Sequence, residues 1–396
     1  MTERLYDTDA YGVEFDATVV KAEQSGENTM VVLDRTLFFP EEGGQDADRG
    51  TIEGLSVIDV QHKGEDIFHL VKGTLQEGAK VHGRIDWEFR FRNMQMHSGE
   101  HIFSGLVYRT FGFHNVGFHL SENSATMDFD GMMSPEDIRA IEERVNRVIA
   151  ENHIIRAFYP DAETLATLAY RSKKALEGPV RLIEIEGIDL CACCATHVRS
   201  TAEIGCFLVT GFENYKGGVR LNFLGGLRAL SYINQCRDSL TDISRMLSTK
   251  ADNAANQVAG MLEEMKQLRF RLLTAEREKL TGMIHEAYLK DGGNEENMSL
   301  SNKGKALFLQ VDSSLLRYAM DETERCYGGI CAVFTGSDEN GYRYLIETKS
   351  GSVSELQARL RSELQAKGGG APNSVSGSIA AQQKDILQIL KEYNCN

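Results

Sequence analysis

The sequence predicts an α+β protein made of four consecutive segments, and three observations predict this class. β-branched runs separated by glycine and acidic turns dominate the first ninety or so residues. After Phe91 helical spacings alternate with strand-like runs, and from about Leu240 to Ala275 apolar residues recur in steps of three and four. We therefore expect a β domain over 1–90, an α+β domain over 91–233, a long helix over 234–291 and a small α/β domain over 298–396.

The first segment contains four runs with strand character, ATVVKAEQ (17–24), NTMVVLDRTLFFP (28–40), TIEGLSVIDVQHK (51–63) and AKVHGRIDW (79–87). Between the second and third runs lies EEGGQDADRG (41–50), which is predicted to be a glycine-rich loop. Glycine allows close approach of a backbone to a ligand, and its alternative role here is a tight turn between strands.

The second segment begins with a predicted helix, which starts near Phe91 and stops at Gly112. A second helix has strong start signals, because Ser134 can cap it, Pro135 suits its first position and Asp137 completes a capping box. Strand-like runs follow at VRLIEIEG (180–187), IGCFLVTGFEN (204–214) and GVRLNFLG (218–225).

The third segment carries a heptad pattern that predicts one continuous helix with a coiled-coil seam. The seam residues are Leu240, Leu247, Ala251, Ala254, Val258, Met261, Met265, Leu268, Leu272 and Ala275, and the pattern misses only Ser244. No second heptad run can pair with it inside the chain, so we expect a homodimer; the alternative is an amphipathic helix lying on its own domain.

GGNEEN (292–297) is predicted to be a linker to the last domain, which ends with a glycine-rich loop, GGGAPNSVSGS (368–378), and one more helix.

Two histidines and a cysteine cluster predict a metal site. His97 and His101 lie four residues apart on the first helix, so both imidazoles face the same side. LCACCATHV (190–198) adds Cys193 and His197, and zinc accepts thiolate and imidazole in a tetrahedral shell. Cys194 competes with Cys193 for the fourth position, although the spacing to His197 favours Cys193. The alternative is that the cysteines are small buried hydrophobes.

Composition narrows the classes of function. A net charge of −15 argues against general adhesion to nucleic acid, which requires Lys and Arg, although a local basic patch is compatible with it. The charged N-terminus and the lack of a long apolar run predict neither a secretory signal nor a membrane span. Eight cysteines, three of them within four positions, are typical of a reduced cytosolic protein rather than a disulfide framework, so we expect a cytoplasmic location.

Four motifs in order resemble those of the alanyl-tRNA editing proteins of the AlaX type, in their long form, over nearly the whole chain. H-x-x-x-H at His97 and C-x-x-x-H at Cys193 resemble the editing domain shared by alanyl- and threonyl-tRNA synthetases. RTLFFPEEGGQDADRG (35–50) is similar to the glycine-rich motif of the alanyl branch, and GGGAPNSVSGS is similar to its C-terminal signature. The chain departs from the usual C-G-G-T-H at Cys194, has Glu42 inside the glycine run, and has Ala371 where the synthetases often carry Arg.

The resemblance implies that the first segment is a β-barrel and that the chain hydrolyses the ester of tRNA(Ala) mischarged with serine or glycine. It implies zinc held by His97, His101, Cys193 and His197, and an ester oriented by Gln45 with the backbone of Gly43 and Gly44. Thr36 is expected to face the amino acid; its alternative role is that of an ordinary strand residue. The C-terminal domain, with Gly368, Gly369 and Gly370, is expected to bind the tRNA.

The number of protein ligands leaves the role of zinc open at this point. Four ligands favour a structural or orienting ion, whereas three would leave it directly catalytic. Two other functions are compatible with the residues: a zinc-stabilised protein that binds RNA or dimerises without turnover, and a zinc hydrolase of another acyl ester.

Overall fold

The computed structural model describes residues 1–122, 125–172, 178–293 and 303–395. These residues form two compact units, Met1–Ile243 and Ser244–Asn396. Both units combine helices with sheets, so the predicted α+β class is confirmed. The finer division into four segments stays a prediction, and its boundary at residue 298 lies outside the described residues.

The first unit contains most of the elements. In chain order they are β1 (Glu3–Arg4), α1 (Leu5–Thr8), β2 (Glu14–Ser25), β3 (Asn28–Leu33), β4 (Arg35–Thr36), β5 (Gly50–Ile52), β6 (Leu55–Lys63), β7 (Asp66–Lys72), β8 (Lys80–Ile85), α2 (Trp87–Phe111), β9 (Asn115–Leu120), β10 (Ala125–Phe129), α3 (Pro135–Glu151), β11 (Ile155–Phe158), α4 (Ala162–Thr167), β12 (Leu182–Ile185), β13 (Asp189–Ala192), β14 (Phe207–Tyr215), β15 (Gly218–Gly225) and α5 (Gly226–Met246). A short 3-10 helix, Thr201–Ile204, precedes β14.

Six strands of the N-terminal segment close into a barrel in the order β2-β3-β7-β6-β5-β8. Its strands alternate buried and exposed side chains, as a half-buried sheet requires. The sequence pattern does not predict strand β7. Its inward row is Ile67, His69 and Val71, all fully buried, and the histidine interrupts the apolar alternation that would have marked it.

Helix α2 runs through the middle of the first unit and is the element that positions the site. It begins at Trp87, before the predicted Phe91, because Asp86 caps it by accepting a hydrogen bond from Phe89 N–H. It ends where predicted, with Gly112 in the left-handed conformation at φ 73°. Nearly all its side chains from Phe89 to Val107 are buried, among α3 and the sheets β14-β15-β10-β9 and β11-β12-β13.

Helix α3 confirms the predicted start signals. Ser134 accepts a hydrogen bond from Asp137 N–H, and the Asp137 carboxylate accepts one from Ser134 N–H, with Pro135 in the first position. Its apolar face packs into the same core as α2.

The second unit contains α6 (Ala254–Lys290), β16 (Lys305–Leu309), α7 (Leu316–Cys326), β17 (Ile330–Ser337), β18 (Gly341–Thr348), α8 (Ser354–Leu364), β19 (Lys367–Ala371), β20 (Ser374–Ile379) and α9 (Gln383–Lys391). The sheet order is β16-β17-β18-β20-β19. The prediction of a glycine-rich loop after α8 is therefore wrong, because Gly368, Gly369 and Gly370 form the edge strand β19. A Cβ on Gly368 or Gly370 would lie 2.1 Å from a carbonyl oxygen of β20, so the pairing requires glycine.

The prediction of one continuous helix from Leu240 to Ala275 is also wrong. Helix α5 ends at Met246, Ser248 adopts φ 50°, and α6 begins at Ala254 after a 3-10 turn. The intervening segment is rich in Ser, Thr, Asp and Asn, whose side chains compete for backbone hydrogen bonds and favour turns. The pairing of seam residues with another helix stays a prediction.

No helix in the described part of the chain is long and apolar enough to cross a membrane.

Candidate metal centre

The structure brings together the four side chains that the sequence predicted as metal ligands. Helix α2 supplies His97 and His101, and the loop after β13 supplies Cys193 and His197. One donor atom of each lies within 4.8 Å of the donor atoms of the other three. The Cys193 Sγ lies 3.6 Å from His97 Nε2 and 3.4 Å from His197 Nε2. The group can therefore hold a metal ion.

Each of the three imidazole rings is fixed through its Nδ1 atom by a partner from another part of the first unit or from α2 itself. The partners are Gln45 Oε1 for His97 (2.8 Å), Asp189 Oδ2 for His101 (3.0 Å) and Ser98 Oγ for His197 (3.0 Å). Because Nδ1 of each ring contacts one of these partners, Nε2 is the ring nitrogen that is available to a metal ion at the centre of the group. Histidines that bind metal ions are oriented in this way in known sites.

Asp189 links the group to a partly buried cation, Arg171. Arg171 donates to both of its carboxylate oxygens, at 2.7 and 2.8 Å, while His101 contacts one of them. Burial opposes ionisation of Asp189, but the hydrogen bond from His101 and the charge of Arg171 outweigh it and hold the pKa of the carboxyl below its usual value. The aspartate is therefore charged and orients the His101 ring.

The electrostatics suit a cation between these donors. Burial raises the pKa of Cys193, but the charge of His97 and hydrogen bonds from His101 and His197 outweigh it, so the pKa of the thiol lies well below its ordinary value. Burial lowers the pKa of His197 to about 3, which leaves that ring neutral. Burial lowers the pKa of His101, but its hydrogen bonds to Asp189 and Cys193 outweigh this effect and raise the pKa to about 10, so binding of zinc would release a proton from this ring. The thiolate of Cys193 and the neutral ring of His197 already have the protonation states that bind zinc, so the donor set fits the predicted metal.

The geometry supports Cys193, rather than Cys194, as the fourth donor. The Cys194 Sγ faces the glycine-rich loop, where a Cβ on Gly43 would lie 3.6 Å from it. Burial raises the pKa of the Cys194 thiol, which keeps it protonated at neutral pH. Cys191 lies near His101 and Asp189, but burial raises its pKa as well.

The glycine-rich loop lies beside the metal group. Gln45 is fully buried and bridges the loop to His97, while its Nε2 has no hydrogen-bond partner in the described residues. Gly44 adopts φ 86°, and a Cβ there would lie 2.2 Å from the carbonyl oxygen of Phe118. Leu120 N–H donates to Gly44 O, at 2.6 Å, which fixes the loop against β9. The loop thus presents an unpaired amide donor next to the ring of His97.

Thr36 lies in β4 with its side chain fully buried. Its Oγ1 is 2.9 Å from His69 Nε2 and accepts a hydrogen bond from Phe38 N–H at 3.0 Å. Burial lowers the pKa of His69 to about 4, so the ring is neutral at pH 7. The contacts of the described residues include no hydrogen bond from Thr36 to the metal group. Gly368, Gly369 and Gly370 belong to the second unit.

Sequence reasoning missed the residues that orient the ligands, Ser98, Arg171 and Asp189. Ser98 directly follows His97, and Asp189 lies two residues before Cys191, the first cysteine of the cluster. A search for one hydrogen-bonding partner per ligand histidine would have considered both. Arg171 lies 18 residues before Asp189, and only the fold pairs them.

Two family models match parts of the chain. One is described as tRNA synthetases class II (A) and matches residues 5–89, which include the barrel and the glycine-rich loop. The other, the threonyl and alanyl tRNA synthetase second additional domain, matches residues 180–222, which include Cys193 and His197.

Similar proteins cover almost all of the chain. The alanyl-tRNA editing protein Aarsd1 of Danio rerio is 29% identical over 98% of this chain and 97% of its own length. The alanyl-tRNA editing protein AlaX-L of Pyrococcus horikoshii is 28% identical over 99% of the chain and 98% of its own length. The alanine–tRNA ligase of Ignicoccus hospitalis is 33% identical over 74% of the chain but only 33% of its own length. These comparisons confirm the resemblance predicted from the four motifs.

Proposed function

Because the chain is a relative of the alanyl-tRNA editing proteins, we propose that it is an aminoacyl-tRNA deacylase. Its substrate is tRNA(Ala) mischarged chiefly with serine, and also with glycine. A synthetase pocket built for alanine cannot exclude glycine by size and rejects serine only weakly, so a second sieve is needed. The observation that carries the proposal is the convergence of three oriented imidazoles on Cys193 beside the unpaired amide of Gln45.

We assign distinct roles to the residues of the site. Zinc, held by His97, His101, Cys193 and His197, would supply a positive charge for binding and orienting the aminoacyl group. Four protein donors within reach of one another favour this orienting role over a directly catalytic one. In this proposal Gln45 Nε2 donates to the ester carbonyl, where negative charge develops during hydrolysis. The backbone of Gly43 and Gly44 can approach the substrate closely because neither carries a side chain.

The proposal predicts hydrolysis that depends on both the amino acid and the tRNA. Purified protein should deacylate labelled Ser-tRNA(Ala), and Gly-tRNA(Ala) more slowly, while sparing Ala-tRNA(Ala) and a small serine ester. Release of labelled amino acid measures each reaction. Binding without any turnover would favour a zinc-stabilised RNA-binding protein, and equal cleavage of the small ester would favour a general acyl hydrolase.

We also propose that the chain works as a homodimer that contacts the tRNA body through its C-terminal domain, including the edge strand of Gly368, Gly369 and Gly370. Apolar seam residues of α6 are exposed in the single chain, at fractions from 40% to 60%: Val258, Met261, Met265, Leu268 and Leu272. An exposed apolar stripe of this length is typical of an interaction surface. The cytoplasmic location stays a prediction.

The dimer is tested by placing charge on the seam. In Met261→Glu/Leu268→Glu we expect a monomer by sedimentation, because two carboxylates would have to be buried in the interface. Gln267→Glu, an exposed position of the same helix off the seam, is the control and should remain dimeric. A wild-type protein that sediments as a monomer would remove the dimer proposal.

A further inference from the structure

Two arginines from distant parts of the first unit contact one short segment after β9, and the charge of a third acts on the same segment. Arg49 Nη2 lies 2.8 Å from Glu122 Oε2. Arg228 donates to the carbonyl oxygens of Ser121, at 2.9 Å, and Glu122, at 2.5 Å. Arg92 is close enough for its charge to act on both Glu122 and Arg228. We call Arg49, Arg92 and Arg228 the arginine cluster.

The arginine cluster lies next to the glycine-rich loop of the metal centre. Ser121 and Glu122 directly follow Leu120, the last residue of β9. Leu120 N–H donates to Gly44 O, and the Leu120 carbonyl accepts a hydrogen bond from Asp46 N–H at 2.9 Å. The end of β9 is therefore hydrogen-bonded to the residues on both sides of Gln45. An anion bound by the cluster would therefore lie beside the loop that carries the unpaired Gln45 amide.

Arg228 is the member of the cluster that contacts main-chain oxygens rather than a carboxylate. Arg228 is half-buried, and no carboxylate of the described residues lies within salt-bridge distance of it; it contacts main-chain oxygens instead. Burial lowers the pKa of Arg228, and the nearby charge of Arg92 adds to this effect. Bringing guanidinium groups together in this way favours the binding of an anion between them.

The carboxylates now in contact with the cluster are weakly held. The side chains of Arg49 and Glu122 are 46% and 57% exposed, and those of Arg92 and Glu88, 3.6 Å apart, are 43% and 84% exposed. Exposed ion pairs of this kind contribute about 0–1 kcal/mol. Glu122 can therefore rotate away from Arg49 at little cost, which frees the Arg49 guanidinium for another anion.

We propose that the arginine cluster binds the sugar–phosphate backbone of the RNA close to its aminoacylated end, with a phosphate replacing the Glu122 carboxylate. Guanidinium groups bind phosphate through paired N–H donors. A local cluster is needed because the chain as a whole carries a charge of −15 and gains no general attraction to RNA. This inference rests on the proposed function for the nature of the substrate.

The test compares full-length Arg49→Ala, Arg92→Ala and Arg228→Ala with Arg84→Ala. Arg84 is an exposed barrel arginine paired with Glu14, and it serves as the control. Affinity for uncharged tRNA(Ala) is measured by fluorescence anisotropy between about 50 and 200 mM salt. In a plot of log affinity against log salt concentration, the slope of each cluster variant should be smaller in magnitude by about one than that of the wild type. Each cluster variant should also bind about tenfold more weakly near 0.1 M salt, whereas the control should change little. Glu122→Gln should bind more tightly, because the competing carboxylate is gone.

A second readout separates this inference from the proposed function. With Ser-tRNA(Ala), the Arg49→Ala and Arg92→Ala variants should raise KM about tenfold while kcat and zinc content stay at the wild-type level. If the cluster variants have the same salt-dependence slope of tRNA binding as the Arg84→Ala control, the inference is overturned, even if deacylation is intact. Reduced slopes in a protein without deacylase activity would sustain the RNA contact and reject the proposed function instead. Arg49 and Arg92 are partly exposed, so the test does not depend on whether Arg228→Ala folds.

Discussion

Cys193→Ala is expected to lose its zinc and to deacylate Ser-tRNA(Ala) at least about 100-fold more slowly than the wild type, whereas Cys194→Ala keeps both properties. The reason is geometric, because the Cys193 Sγ faces the Nε2 atoms of His97 and His197. Mutation of residues that merely orient metal ligands already lowers affinity or activity by about 10- to 100-fold. Removal of the thiolate also leaves three imidazoles without the negative charge that offsets the metal.

The measurement is metal content per chain, together with the absorption of a cobalt-substituted protein. A thiolate–cobalt charge-transfer band should be present in the wild type and in Cys194→Ala and absent from Cys193→Ala. The opposite pattern would make Cys194 the ligand while leaving the site in place. Full zinc occupancy in the double variant His97→Ala/His101→Ala would contradict the metal centre itself.

The parts of the fold that could be predicted are those determined by local sequence. The start of α3 follows from Ser134, Pro135 and Asp137, and the end of α2 follows from Gly112, because caps act within a few residues. The spacing of His97 and His101 predicts a shared direction on any helix. These predictions required no knowledge of how distant parts of the chain pack.

The parts that could not be predicted depend on tertiary contacts. Strand β7 contains the buried His69, and its polar ring atoms contact Thr36 and Val31 from other strands. Asp189 looks like a turn residue in sequence, yet it lies between His101 and Arg171 in the structure. The Ser248 break shows the reverse case, in which a local turn preference overrides a heptad pattern that continues on both sides.

Thr36→Val is expected to lower the preference for Ser-tRNA(Ala) over Ala-tRNA(Ala) by at least about tenfold, within the roughly 10⁴-fold that a hydrogen-bonding pocket can supply. Alanine is smaller than serine, so size cannot make the site prefer Ser-tRNA(Ala) over Ala-tRNA(Ala), and we expect this preference to come from the serine hydroxyl. In this proposal the Thr36 hydroxyl is one of the polar groups that recognise the serine hydroxyl. That hydroxyl already contacts His69 Nε2 and Phe38 N–H, so it is rigidly oriented inside the barrel.

The same contacts mean that Thr36→Val also destabilises the protein, because each buried group left unpaired costs about 1–3 kcal/mol. Two controls separate stability from discrimination. Thr36→Ser retains the hydroxyl and should retain the preference. Thr29→Val removes the hydroxyl of another fully buried barrel threonine, which donates to the Gly73 carbonyl at 2.6 Å, and should lower the melting temperature without changing the preference. The ratio of kcat/KM for the two aminoacyl-tRNAs is the measurement. If Thr36→Val behaves like Thr29→Val, Thr36 is a structural residue of the barrel and the hydroxyl of serine is recognised elsewhere.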